Sequence, residues 1–134
     1  MEQAPGDPDA LLRLMPFATE LGVALDAATA EEVRGRLAWA PERCTAGGLL
    51  HGGAVMAFAD SLGAACAVMN LPEGASTSTI ESKTNFFRAV REGHVDGVSR
   101  PLHVGRRTIV VQTDLYDTAG KRVAQVTQTQ AVLT

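Results

Sequence analysis

The chain has 134 residues, 46% of them hydrophobic and 20% charged, a composition that supports one compact core and leaves no room for a second domain. Its formal net charge of −3 excludes a general nucleic-acid binder, which needs a strongly basic surface to displace counterions. Residues 1–43 carry eight acids against four bases and residues 80–134 carry five against eight, so a small anionic ligand is expected on the second half.

The opening MEQAPGDPDALLRLMPFA is acidic and broken by three prolines. It lacks the basic start and apolar run of an export signal, and a cytoplasmic protein is expected. Residues 1–7 read as loose. Pro8 to Leu21 reads as one short helix, with Asp9 as its cap, Leu11, Leu12, Leu14 and Met15 as an apolar stripe, and Gly22 as its end. Val33 to Trp39 alternates apolar and polar residues as a half-buried strand does, and Pro41 closes it.

A glycine-rich turn, CTAGGLLHGG, then leads into a run of helix-forming Ala, Met, Leu, Phe and Val from Gly53 to about Asn70, stopped by LPEG. This helix is apolar on every side, which predicts that it is covered all round. Its apolar core, Ala54 to Met69, falls short of the roughly 20 residues of a membrane span, and no membrane contact is expected. Four strand-like segments follow: Ala75 to Phe87, His94 to His103, Arg106 to Asp117 and Arg122 to Leu133. In TIVVQTDLY, Ile109, Val111, Thr113 and Leu115 share one face. The short turns REG, VGR and TAGK predict antiparallel neighbours in an unbroken meander. The expected architecture is an α+β domain over residues 1–134, a curled antiparallel sheet of about five strands wrapped round one long helix, with a short N-terminal helix.

Within the long helix stands one carboxylate, Asp60. Burying it without partners is costly, so a reactive role is the sharp reading. The plain alternatives are a hydrogen bond to a neighbouring backbone or hydroxyl group, or emergence at a subunit interface. At the helix start, free N–H groups near Gly52 and Gly53 and the positive end of the helix dipole can receive a developing negative oxygen. The same glycines read equally as a tight turn. Cys44 and Cys66 have neither metal-site nor redox spacing and read as small core residues. His94 and His103 have no ligand partner at suitable spacing, so no metal is expected.

The architecture, LLHGG, the Asp nine residues after His51, and TIESKTNFFRA together resemble the hotdog-fold acyl-CoA thioesterases, in particular the PaaI-like and 4-hydroxybenzoyl-CoA thioesterase group, over nearly the whole chain. The resemblance implies hydrolysis of acyl-CoA to CoA and a free acid, with Asp60 as nucleophile or general base and the backbone of Gly52 as oxyanion donor. It places His51 beside the carbonyl and a hydroxyl at Thr79, with Thr77 or Ser78 as alternatives should the register shift. His51 also reads as a side chain that merely fixes its loop. Thr45 stands six residues before His51, where the family usually has Asn, and FFRAV lacks the common proline after Arg88; both suggest a divergent acyl preference. Thr45 and Gly53 are carried as substrate-binding candidates. No cofactor is implied, because coenzyme A is part of the substrate. Its phosphates need arginines, for which Arg88, Arg106 and Arg107 are the candidates, with ordinary solvated charges as the plain reading.

Gly52 and Asp60 lie eight positions apart on one helix, about 12 Å along its axis, too far to meet at one thioester. A two-fold with antiparallel helices brings Asp60 of one chain to Gly52 of the other, so a homodimer is expected. The resemblance adds a pairing of dimers. Two other readings stand beside hydrolysis: a hotdog hydratase or dehydratase of enoyl thioesters, disfavoured by the spacing of His51 and Asp60, and a non-catalytic acyl-CoA binding protein, which has no need of a buried carboxylate.

Overall fold

The computed structural model describes residues 6–134. Helices α1 (Pro8–Arg13) and α2 (Pro16–Leu21) precede strands β1 (Ala24–Ala28) and β2 (Val33–Ala38). A loop with two single 3-10 turns leads to α3 (Gly52–Val68), and β3 (Ser76–Phe86), β4 (His94–Val104), β5 (Thr108–Tyr116) and β6 (Arg122–Leu133) complete the chain. All six strands form one antiparallel sheet in the order β1-β2-β4-β5-β6-β3, with α3 against one face, which is the hotdog fold.

Several expectations are corrected. The single N-terminal helix is two, because Pro16 has no N–H to donate and forces Met15 out of the helical region, to φ −127° and ψ 73°. The cap of α1 is Asp7, whose Oδ1 accepts the N–H of Asp9 at 3.0 Å. Gly6 N–H donates to the Ala28 carbonyl at 2.8 Å; residues 1–5 of the segment expected to be loose lie outside the described residues. The sheet has six strands rather than five. The missing one, β1, hides its periodicity behind a bulge between Leu25 and Ala27.

The meander also breaks. Strands β4, β5 and β6 run consecutively, but β3 pairs with β6 at the far edge. The turn at REG is only the end of a seven-residue crossover, Phe87 to Gly93. Its reach of about 25 Å exceeds the three strand spacings, about 14 Å, that separate β3 from β4.

Helix and sheet meet at a notch. Gly35 and Gly97 are register partners on β2 and β4, and a Cβ on either would sit 2.6 or 2.3 Å from a methyl of Leu62. Two bare backbones thus admit α3 closely, and Phe58 and Leu62 are wholly buried there. Burial of each stabilises by about 1.5–3 kcal/mol.

The first half of the helix leaves one stripe uncovered, whereas Ser61 to Ala67 are buried apart from half-buried Ala64. Gly53, Met56 and Asp60, spaced three and four residues apart, form an exposed stripe on α3. Asp60 is consequently exposed in the single chain, correcting the expectation of a carboxylate inside the core: it stands at the rim of the sheet, beside β3 and β6, and not beneath it. No helix among the described residues is long and apolar enough to cross a membrane.

Candidate active site

The loop before α3 is held by its own hydrogen bonds. The Trp39 indole donates to the Gly48 carbonyl at 3.0 Å, and Thr45 N–H donates to Leu49 at 2.8 Å. Gly47 and Gly48 take φ of 79° and 73°, left-handed values that only glycine adopts without strain. The N–H of His51 donates to the Arg43 carbonyl at 2.8 Å, which fixes the entry to the helix.

A helix begins with four N–H groups that have no intrahelical partner. In α3 these are the N–H groups of His51, Gly52, Gly53 and Ala54; that of His51 goes to Arg43, and His51 itself accepts two of the others. Its Nδ1 accepts from Gly53 at 2.7 Å and its carbonyl from Ala54 at 2.9 Å, the same carbonyl also taking the first regular helix bond, from Val55 at 3.1 Å. The N–H of Gly52 finds no partner among the described residues. The two glycines are thereby separated: the donor of Gly53 is engaged, whereas that of Gly52 stands free at the positive end of the helix dipole. The bare Nδ1 also places the proton of the neutral His51 ring on Nε2. The Phe86 ring lies 3.3 Å from where a Gly52 Cβ would stand. Thr45, Gly52, Val55, Phe86, Phe87 and Arg88 line a cavity of about 360 Å³ at this end of the helix.

Two turns along α3, Asp60 meets the sheet. Gln128 Nε2 donates to its Oδ1 at 3.1 Å, and Thr79 Oγ1 lies 3.5 Å from the same oxygen. Of the three hydroxyls expected near this point, that of Thr79 reaches Asp60. Thr77 sits one step deeper, donating to the Ala131 carbonyl at 2.8 Å. Ser78 shares no hydrogen bond with them and stands on the opposite face of β3, where side chains alternate.

The sequence reading missed Gln128 and Gln130, both buried to within 1%. The signal was available: in VTQTQAV a strand period of two puts both on the face of buried Val126.

The basic candidates divide. Arg88 N–H donates to Val123 and the Arg107 carbonyl accepts from Val132, so these residues flank points nine positions apart on β6, about 30 Å along the strand. One chain cannot close both on one phosphate group. Arg106 and Arg107 lie with His103 and Thr108 at the end of the sheet that carries Thr77 and Thr79, while Arg88 borders the Gly52 cavity. Some of the remaining charges pair on the outer face, as Arg36 does with Asp96 at 2.8 Å and Arg100 with Glu32 at 2.7 Å. Hydrogen bonding by Arg34, joined by Arg100, holds the Glu32 carboxyl below its ordinary range. Cys66 is buried in α3, and burial pushes its thiol up to about 12.

Residues 47–124 match the family model of the thioesterase superfamily. The 1,4-dihydroxy-2-naphthoyl-CoA hydrolase of Escherichia coli (strain K12) is 36% identical over 86 residues, 64% of this chain; the match spans 63% of that relative's length. A protein of Mycobacterium tuberculosis strain H37Rv is 31% identical over 128 residues, covering 93% of this chain and 91% of the relative. The crystal structure of a mutant thioesterase from Pseudomonas aeruginosa superposes with a TM-score of 0.91 at 27% identity, covering 98% of this chain and 97% of that one.

Proposed function

This chain belongs to the thioesterase superfamily, and from that membership and the geometry of its long helix we propose that it hydrolyses acyl-CoA thioesters to coenzyme A and a free acid. The observation that carries the reading is that α3 holds one unpartnered N–H, at Gly52, and one exposed carboxylate, at Asp60, about 12 Å apart on the same rod. A reacting acyl group needs both within about 3 Å. Two copies with α3 antiparallel satisfy that need twice.

The single chain has a surface suited to such pairing. Met56 beside Asp60 is 44% exposed and Ile80 beside Thr79 is 60% exposed. Strand β3 is an 11-residue edge with an unpaired side, a feature that soluble proteins ordinarily cover. In the proposed dimer Asp60 and Thr79 come from one copy, and His51 and Gly52 from the other. Arg106 and Arg107 of the first then approach the substrate's phosphates from one side and Arg88 of the second from the other, although no single chain brings them together.

The Gly52 N–H, with His51 Nε2–H beside it, receives the charge that develops on the thioester oxygen; one such donor contributes about 2.7–4 kcal/mol to the transition state. Asp60 either takes a proton from water, whose oxygen then bonds the acyl carbon, or attacks that carbon itself to give an anhydride that water opens. In both routes the C–S bond breaks and the CoA thiolate recovers a proton. The largely apolar cavity at Gly52, walled by Phe86, Phe87 and Val55, suits an aryl or medium-sized acyl group.

The test is a panel of aryl- and alkyl-CoA esters with a thiol reagent, run on wild type and Asp60→Asn. Thiol release by wild type, reduced at least a hundredfold in Asp60→Asn, is the predicted result. Tight binding of the esters without release by either protein would replace the hydrolase with a binding protein, and loss of enoyl absorbance without thiol would replace it with a hydratase.

A further inference from the structure

We propose that Gln128 and Gln130, two buried amides on β6, are positioning residues that transmit the charge of Asp60 to Thr79 and fix that hydroxyl as a hydrogen-bond acceptor toward the open site; this rests on the role given to Asp60 above.

The inference follows from counting protons. A carboxylate only accepts, so the Gln128 group 3.1 Å from Asp60 Oδ1 is its NH₂. The second proton of that NH₂ points at Gln130 Oε1, also 3.1 Å away. Reversing the Gln130 amide would set two NH₂ groups against each other, and reversing both amides would set the Gln128 carbonyl against the carboxylate. The charge on Asp60 therefore determines both orientations. Gln130 Oε1 accepts in addition from Thr79 Oγ1 at 2.6 Å, and Gln130 Nε2 donates to Thr77 Oγ1 at 3.2 Å. Thr77 passes its own proton to the Ala131 carbonyl at 2.8 Å, which anchors the chain on the backbone.

A threonine has one hydroxyl proton. At 2.6 Å against 3.5 Å, the proton of Thr79 goes to Gln130 and not to Asp60. What Thr79 presents beside the carboxylate is a lone pair. Two acceptors side by side hold one water by its two protons and turn that water's own lone pair outward. A hydroxyl free to rotate would instead donate to Asp60 and occupy the acceptor that the water needs.

Burying two amides among apolar side chains is unfavourable unless their polar atoms are satisfied. Gln128 Oε1 is nevertheless buried with no partner. It faces Gly63 of α3, where a Cβ would stand only 2.0 Å away. The site accepts one unsatisfied carbonyl and a helix-interior glycine in order to aim Gln128 at Asp60.

The experiment combines a mutant cycle with a spectroscopic readout. Gln130→Met, Thr79→Val and the double variant are assayed with the best thioester of the panel, together with Gln128→Met. Expected are a fall in kcat of about tenfold or more with KM within about twofold for each glutamine variant, and no further loss when Gln130→Met is added to Thr79→Val. Multiplying losses in the double variant, or proportionate changes in kcat and KM, would overturn the proposal. In ¹⁵N-labelled wild type, Thr79→Val should move the Gln130 side-chain amide signals and Asp60→Asn those of both glutamines; signals that stay in place would overturn it independently. Absence of thiol release from wild type would count against the thioesterase reading alone, and the amide signals would still decide the network.

Discussion

His51 Nδ1 accepts the N–H of Gly53 at 2.7 Å, and this one contact decides which backbone donor of α3 remains free. It also splits the duties of His51 into a cap, carried by Nδ1, and a donor, carried by Nε2. Asn is a good N-cap but its short arm cannot place a second donor where Nε2 stands. We predict that His51→Ala lowers stability by about 0.5–2 kcal/mol and lowers activity, whereas His51→Asn recovers the stability but not the activity. Urea unfolding at one fixed protein concentration, paired with thiol release, checks both halves.

Gly63→Ala sets two effects against each other. Helix propensity favours alanine by about 1 kcal/mol. The new Cβ, however, would meet Gln128 Oε1 at 2.0 Å and Cδ at 2.4 Å inside a packed core. Steric cost prevails: the variant should lose about 1–3 kcal/mol, and kcat should fall because Gln128 is displaced from Asp60. Adding Gln128→Ala should restore the stability while leaving kcat low. A Gly63→Ala protein as active and stable as wild type would show that Gln128 has another place to go.

The fold was legible where periodicity is strong and unlegible where pairing is not local. The alternation in TIVVQTDLY and the long apolar run from Gly53 onward place β5 and α3 to within two residues at each end. The ALDAA of β1, interrupted by a bulge, carries no such rhythm. The crossover from β3 to β4 was hidden because a turn motif such as REG reports a local reversal, not the strand that the chain next reaches. At the site, Asp60 stood out as the lone charge of an apolar run, and LLHGG marked the helix start. Gln128 and Gln130 carry no such mark, because a polar residue in a strand gains its role only from the partners that the sheet and α3 bring to it. The exposure of Asp60 is not legible in the sequence, because apolar residues all round a helix imply a cover but not whether the same chain provides it.

Cys66 bears on the assay itself. Burial raises its thiol from 9.0 to about 12, so the folded chain should keep this cysteine out of reach of a thiol reagent near pH 8, and it should react only on unfolding. The same shift gives a stability contribution that is fully present below 9.0 and is lost as pH rises toward about 12, because the unfolded thiol ionises first. Counting reactive thiols before and after denaturant, and recording the unfolding midpoint from pH 8 to 11, checks both expectations.

The central claim, that Asp60 of one copy serves the Gly52 N–H of the other, is tested most directly by mixed dimers. Gly52→Pro deletes that single N–H at the first position of α3, where proline is tolerated and the extended His51 before it, at φ −62° and ψ 133°, suits it. Asp60→Asn deletes the carboxylate. Each variant alone should be inactive. Co-expressed in equal amounts, they should recover about a quarter of wild-type thiol release, because half the dimers are mixed and each mixed dimer carries one site with neither lesion. Mixed dimers that form but stay as inactive as the separate variants would contradict the shared site.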